Sequence, residues 1–139
     1  ERGQRLTASI SVEVSVEVPP GELIDKITIL EIKLERIDDA KKLKNIKSEW
    51  ETLTAARDAA VEPSEELERL TAELKQINER LWEIEDHIRE CERDKNFGDK
   101  FVELARGVYR NNDERSRLKR DINKLLGSRL IEEKSYAPY

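Results

Sequence analysis

The chain has 139 residues, of which 41% are charged and 5% aromatic, and it carries a formal net charge of −5. That length fits one domain, and a composition so rich in charge and poor in aromatics suits long, surface-rich helices and excludes a deeply buried globule. Five glycines and four prolines are too few for the turns of an all-β chain, and the acidic balance excludes broad binding to nucleic acid, which needs contiguous cations along the phosphates.

In chain order, residues 1–8 are expected to be a tail, native or appended, ahead of a single helical domain at 9–134 and a second tail at 135–139. Within residues 10–18, Ile10, Val12, Val14, Val16 and Val18 alternate with Ser11, Glu13, Ser15 and Glu17, the pattern of a half-buried strand. No second run alternates this way, so the strand's backbone donors and acceptors need a partner from elsewhere. The simplest supplier is the same strand of a second copy, antiparallel across a two-fold axis. Homodimerisation is the resulting expectation; the alternative is a tail lying on the helices.

Pro19, Pro20 and Gly21 end the strand and open a helix. Its core stripe is Leu23, Ile27, Leu30, Leu34 and Ile37. Ile29 and Ile32 lie opposite, so this helix is expected to be covered on a second face by the strand or a partner chain. Asp38 or Asp39 caps a second helix with the stripe Leu43, Ile46, Trp50 and Leu53, which ends at Glu62 and Pro63. Ser64 caps a third, with Glu65 and Glu66 in the first turn. Leu67, Leu70, Leu74, Ile77, Leu81, Ile84, Ile88 and Cys91 then keep the three-four spacing of a coiled-coil seam. A helix over 65–93 is about 43 Å long and requires an antiparallel partner. After a turn at 94–98, Asp99 is expected to cap a fourth helix burying Phe101, Leu104, Ala105 and Val108. Asn111, Asn112 and Asp113 are expected to kink or recap it, before Leu118, Ile122, Leu125 and Leu126 resume the stripe.

Few residues offer chemistry. His87, the only histidine, lies about 100° off the third helix's stripe and reads as a solvated flank position. Cys91 lies on the stripe and reads as a small buried hydrophobe. Glu83, Glu85, Asp86, His87 and Glu90 look like a metal cluster, but the Glu-x-x-His pattern of di-iron bundles fails because Ile84 stands three residues before His87. No metal and no cofactor are expected. A lone cysteine, no apolar run of about 20 residues and no signal-peptide pattern point to a reducing, cytoplasmic setting without membrane insertion.

Two patches keep functional weight. Glu22, Asp25, Lys26, Glu31 and Lys33 share an otherwise apolar helix, so some of these charges are expected to be desolvated and paired; an ordinary salt-bridge face is the alternative. Further on, Arg106, Arg110, Arg115, Arg117, Lys119, Arg120 and Lys124 form a basic run around Tyr109, Asn111 and Asn112. From it Arg106, Tyr109, Arg110, Asn111, Asn112, Arg117 and Arg120 are the candidate anion-binding residues, against the alternative of a solvated face with helical ion pairs. Trp82, about 120° off the seam, is a candidate interface residue with Val12, Val14, Val16 and Val18.

The stretch Gly21-Glu22-Leu23-Ile24-Asp25-Lys26-Ile27-Thr28-Ile29-Leu30-Glu31-Ile32-Lys33, with Leu81-Trp82-Glu83-Ile84-Glu85-Asp86, Phe101-Val102-Glu103-Leu104-Ala105-Arg106 and Glu132-Glu133-Lys134-Ser135-Tyr136, resembles an uncharacterised family of short bacterial proteins that carries a domain-of-unknown-function label. The likeness runs from the strand to Tyr136 and implies a place among glycosyltransferase and lipopolysaccharide genes. Residues Arg120 to Leu130 are also similar to the first helix of all-helical chorismate mutases, dimeric enzymes that bind a dicarboxylate with arginine and lysine; Asn123 stands where that pattern has aspartate.

The predicted protein is mainly α: an antiparallel hairpin or bundle of long amphipathic helices with one N-terminal strand paired between protomers. Its expected role is a non-enzymatic homodimeric scaffold or accessory protein linked to surface-polysaccharide biosynthesis, with a glycosyltransferase or other envelope-biosynthesis protein as partner. The alternatives are an anion- or phosphosugar-binding module and a chorismate-mutase-like enzyme.

Overall fold

Helical propensity, caps and stripe spacing are realised as four helices in the computed structural model, which describes residues 10–139: α1 (Pro20–Arg36), α2 (Ala40–Ala60), α3 (Glu65–Arg93) and α4 (Asp99–Leu125). Pro20 occupies the first turn of α1, where its missing N–H has no helical partner. The side chain of Asp39 accepts from the Lys42 N–H at 3.0 Å to start α2, and Ser64 accepts from the Leu67 N–H at 3.1 Å to start α3. Exposed pairs one turn apart, such as Arg89 with Glu85 and Arg69 with Glu66, add local support along the long α3.

α3 and α4 form a hairpin closed by the turn at 94–98, in which Lys95 adopts a left-handed conformation with φ 55°. Gly107 of α4 lies against Ile84 of α3, where a Cβ would approach the Ile84 Cδ1 to 2.9 Å. The core lies at the opposite end of the hairpin from the turn. Leu67, Leu70, Leu74 and Ile77 of α3 meet Leu118 and Ile122 of α4 and Ile24 of α1, each no more than 6% exposed. Each such side chain contributes about 1.5–3 kcal/mol through burial. Toward the turn the seam is wetter: Leu81, Ile84 and Ile88 are half-buried, although Cys91 is buried.

α1 packs on α2, α3 and α4, whereas α2 packs on α1 alone among the helices. The second face of α1 is therefore covered by α2, where the sequence suggested a strand or a partner chain. Ile32 is buried at 1% exposure, and the Trp50 Nε1 of α2 donates to Glu31 at 3.3 Å. The core face of α1 is also rotated from the expected one. Ile24, Ile27 and Leu30 are buried, while Leu23, Leu34 and Ile37 are half-buried.

Three further expectations are corrected. Residues 10–18 form no strand, and no strand exists among the described residues; Val12, Val14 and Val16 are 82%, 82% and 71% exposed. A lone alternating segment has no ladder to join within one chain, and the helices take their cover from each other. The N-cap of α4 is Gly98, with Asp99 inside the first turn. α4 also runs unbroken through Asn111, Asn112 and Asp113, because the Asn111 side chain donates to the Gly107 carbonyl one turn back at 2.8 Å instead of competing for its own backbone. The expected tail at 1–8 lies outside the described residues.

Candidate functional site: an ionic network and an adjoining cleft

The chemistry collects where α1, α3 and α4 meet. Asp25, on α1, is wholly buried, yet its carboxylate has partners on both sides. Arg115 of α4 approaches as a fork, Nε to Oδ1 at 3.0 Å and Nη2 to Oδ2 at 2.5 Å, the bidentate geometry that makes arginine–carboxylate pairs strong. From α3, the Asn78 amide donates to Asp25 Oδ1 and to Thr28 Oγ1, both at 2.9 Å. The Thr28 hydroxyl donates to the Asp25 carbonyl oxygen at 2.8 Å. No buried side-chain nitrogen or oxygen among the described residues lacks a partner, so this polar centre meets the condition under which buried charge is tolerated. The carboxylate beside it holds the Arg115 guanidinium above its ordinary pKa, against the opposing effect of burial.

One turn along α4, the backbone of α1 comes into direct contact. The Gly21 N–H donates to the buried Asn123 Oδ1 at 2.7 Å, and a Cβ on Gly21 would collide with the Lys119 carbonyl oxygen. Lys119, whose side chain is only 12% exposed, reaches Glu22 of α1 at 2.8 Å and Glu132 at 3.0 Å. Burial works against its charge, but the hydrogen bonds that the ammonium donates to the two carboxylates outweigh it and keep its pKa above the usual lysine range.

Glu132 belongs to the segment that follows α4. Gly127, at φ +66°, takes the left-handed position that ends the helix, and the Ser128 N–H closes back onto the Asn123 carbonyl at 2.9 Å. The chain then returns along α4 in the opposite direction. Arg120 donates to Glu133 at 3.1 Å, Lys134 meets Asp113 at 2.6 Å, and the Tyr139 and Tyr109 rings pack edge-on at 5.2 Å. Hydrogen bonds from Lys134 and Tyr139 hold the Asp113 carboxyl below its ordinary range, and the same bond to Asp113 pushes the Tyr139 phenol up. Between this returning segment and α4 lies a cleft of about 1090 Å³, lined by Arg115, Lys119, Arg120, Lys134, Asn112, Ser116 and the three tyrosines 109, 136 and 139 among others.

Of the anion-binding candidates, Tyr109, Asn112, Arg117 and Arg120 line this cleft. Arg117 is occupied by Glu114 and Asp121 along its own helix. Arg106 pairs with Glu103 and Asn111 bonds within α4; neither they nor Arg110 line the cleft. Of the acidic-helix candidates, Asp25 and Glu22 reach the basic helix, Glu31 bonds Trp50, and Lys26 is exposed. Trp82 is half-buried. Sequence reasoning named both charged patches without joining them, and it did not place Asn78, Asn123, Glu132, Glu133, Lys134, Tyr136 or Tyr139 at a site. A usable signal was present: Asn78 and Asn123 each follow a core isoleucine, a polar residue beside the apolar stripe. Among the described residues no helix is long and apolar enough to cross a membrane.

The fold and the site together define a four-helix protein centred on a buried carboxylate–guanidinium network with a basic cleft alongside. The chain belongs to a family of unknown function (DUF6165), whose pattern matches residues 14–138. No curated protein and no solved structure matches it. The stretch from Arg120 to Leu130, which resembles the chorismate mutase helix, is helical only as far as Leu125.

Proposed function

We propose that the protein is a binding module that takes a small anionic ligand in the cleft between α4 and the C-terminal segment. The observation that carries this is the gathering of Arg115, Lys119, Arg120, Lys134 and three tyrosines around one concavity of about 1090 Å³, the scale of small-molecule sites, roughly 300–1,000 Å³. Guanidinium and ammonium donors suit phosphate and carboxylate oxygens, and tyrosine faces give a ligand's organic part a surface to lie on. Calorimetric titration with inorganic pyrophosphate is expected to show saturable binding at one per chain. Substitution Arg120→Gln should weaken it by about tenfold or more, the worth of a charged hydrogen bond. Absence of heat up to millimolar probe counts against the reading.

A second reading, the homodimeric scaffold, is favoured by the exposed row from Ile10 to Val18, which ranges from 46% to 82% exposure. Antiparallel pairing with a second copy about Val14 sets Val12 against Val16 and Ile10 against Val18. It also places Glu13 opposite Ser15 and Glu17 opposite Ser11, so no glutamate faces another directly. Shifting the register by two residues sets Glu13 against Glu17. Light scattering should therefore give twice the 16.2 kDa chain mass, and Val14→Lys, which puts two ammonium groups face to face, should return the monomer. A strict monomer at high micromolar concentration removes this reading. The setting implied by the family resemblance, surface-polysaccharide assembly, would bring such a scaffold to a glycosyltransferase.

A further inference from the structure

Five cations line the cleft, and they are not held alike. Arg117 is paired along its own helix with Glu114 and Asp121. Arg115 is committed to the buried Asp25, and Lys134 to Asp113. Lys119 and Arg120 instead meet Glu132 and Glu133, consecutive residues of the returning segment, at 3.0 and 3.1 Å. Burial is uneven across these pairs. The Lys119 side chain is 12% exposed, while those of Glu132 and Glu133 are 61% and 77% exposed. Lys119 is therefore held down against the helix, Arg120 is 37% exposed, and the more exposed acids lie over both from the water side.

We infer that Glu132 and Glu133 are an internal stand-in for the cleft's ligand, which presents two neighbouring acidic groups to Lys119 and Arg120 and displaces this acid pair on binding. The inference rests on the cleft being a ligand site, and it names both the ligand class and its control. The Arg120–Glu133 pair is exposed on both sides and individually weak, and Lys119 keeps its contact with Glu22 when Glu132 lifts. A diphosphate or short dicarboxylate carries the same two charges a few bonds apart and reproduces both contacts. Apart from a 3.3 Å bond from Arg120 Nη2 to the Glu132 carbonyl oxygen, the segment's other attachments, Lys134 to Asp113 and Tyr139 to Tyr109, lie further along α4, so the acid pair can lift while the far end stays seated. Gly127, with its left-handed backbone, sits at the pivot.

The test compares the full chain with its Glu132→Gln/Glu133→Gln variant in calorimetric titrations with inorganic pyrophosphate, succinate and orthophosphate. The expected result is that pyrophosphate or succinate binds the wild type and binds the double variant about tenfold more tightly, with orthophosphate weaker than the better two-acid probe in both. Unchanged or weaker affinity in the double variant, with the wild type still binding, overturns the stand-in role and leaves the cleft reading in place. Orthophosphate binding as tightly as either two-acid probe overturns the ligand class. No heat from either protein overturns both readings. Both substitutions lie at exposed positions, and unchanged circular dichroism in the double variant shows that it folds as the wild type does.

Discussion

Substituting Arg115→Met is expected to cost about 3–5 kcal/mol of folding stability, because it strands a buried charge. Asp25 has 1% of its side chain exposed, so a carboxylate deprived of its fork cannot turn to water. Asn78 and Thr28 remain, but they supply neutral donors. Methionine fills the volume of the arginine stem and isolates the electrostatic loss from the packing loss. The measurement is a urea midpoint at constant slope, accompanied by a fall in melting temperature of roughly 10 °C. Pairing the substitution with Asp25→Asn should recover most of the loss, since an asparagine needs no counter-charge; the resulting double-mutant cycle reports the coupling. A single-variant loss below about 1 kcal/mol would mean that the pair is an ordinary surface contact.

Substituting Gly21→Ala is expected to destabilise by about 2–4 kcal/mol, combining overpacking with damage to a buried hydrogen bond. The sign is the informative part. In an unobstructed helix the same change stabilises by about 0.5–1 kcal/mol. Here the new methyl meets the Lys119 carbonyl oxygen, stands 2.9 Å from Asn123 Oδ1, and has backbone on the other side that cannot rotate away. Relief requires α1 to part from α4, which also stretches the 2.7 Å bond from the Gly21 N–H. Thermal unfolding of the variant settles the matter, and a higher melting temperature would show that the two helices do not approach so closely.

The long α3 was legible because its signals are local. Eight apolar residues at three-four spacing and a serine cap specify a helix and its inward face without reference to anything distant. The regular alternation of residues 10–18 was equally clear as a pattern, but alternation declares a preference for two faces and does not supply a neighbour. The described chain offers none, and the segment forms no strand. The face of α1 was misjudged because that helix is apolar on several sides, so the stripe through Leu23, Leu34 and Ile37 competed with the one through Ile24 that the hairpin selects. The site was the least legible part. Asp25 and Arg115 are 90 residues apart and Gly21 and Asn123 are 102 apart, and each residue alone reads as an ordinary surface charge, turn glycine or polar flank. The C-terminal segment carried no periodicity at all; its placement depends on Gly127 reversing the chain and on partners spread along α4.

Aliphatic seams are forgiving: one leucine can replace another if a helix slides by a turn or rolls by a few tens of degrees. The cluster of Asp25, Thr28, Asn78 and Arg115 is not, since each N–H and O–H has a set direction and a particular acceptor, and the members come from three different helices. Slippage of α1 or α4 would leave an ion in hydrocarbon, and slippage of α3 would strip the Asn78 amide from Asp25. The cluster therefore discriminates against near-miss arrangements that greasy contacts alone would accept, and gives this otherwise permissive assembly a single address for every residue.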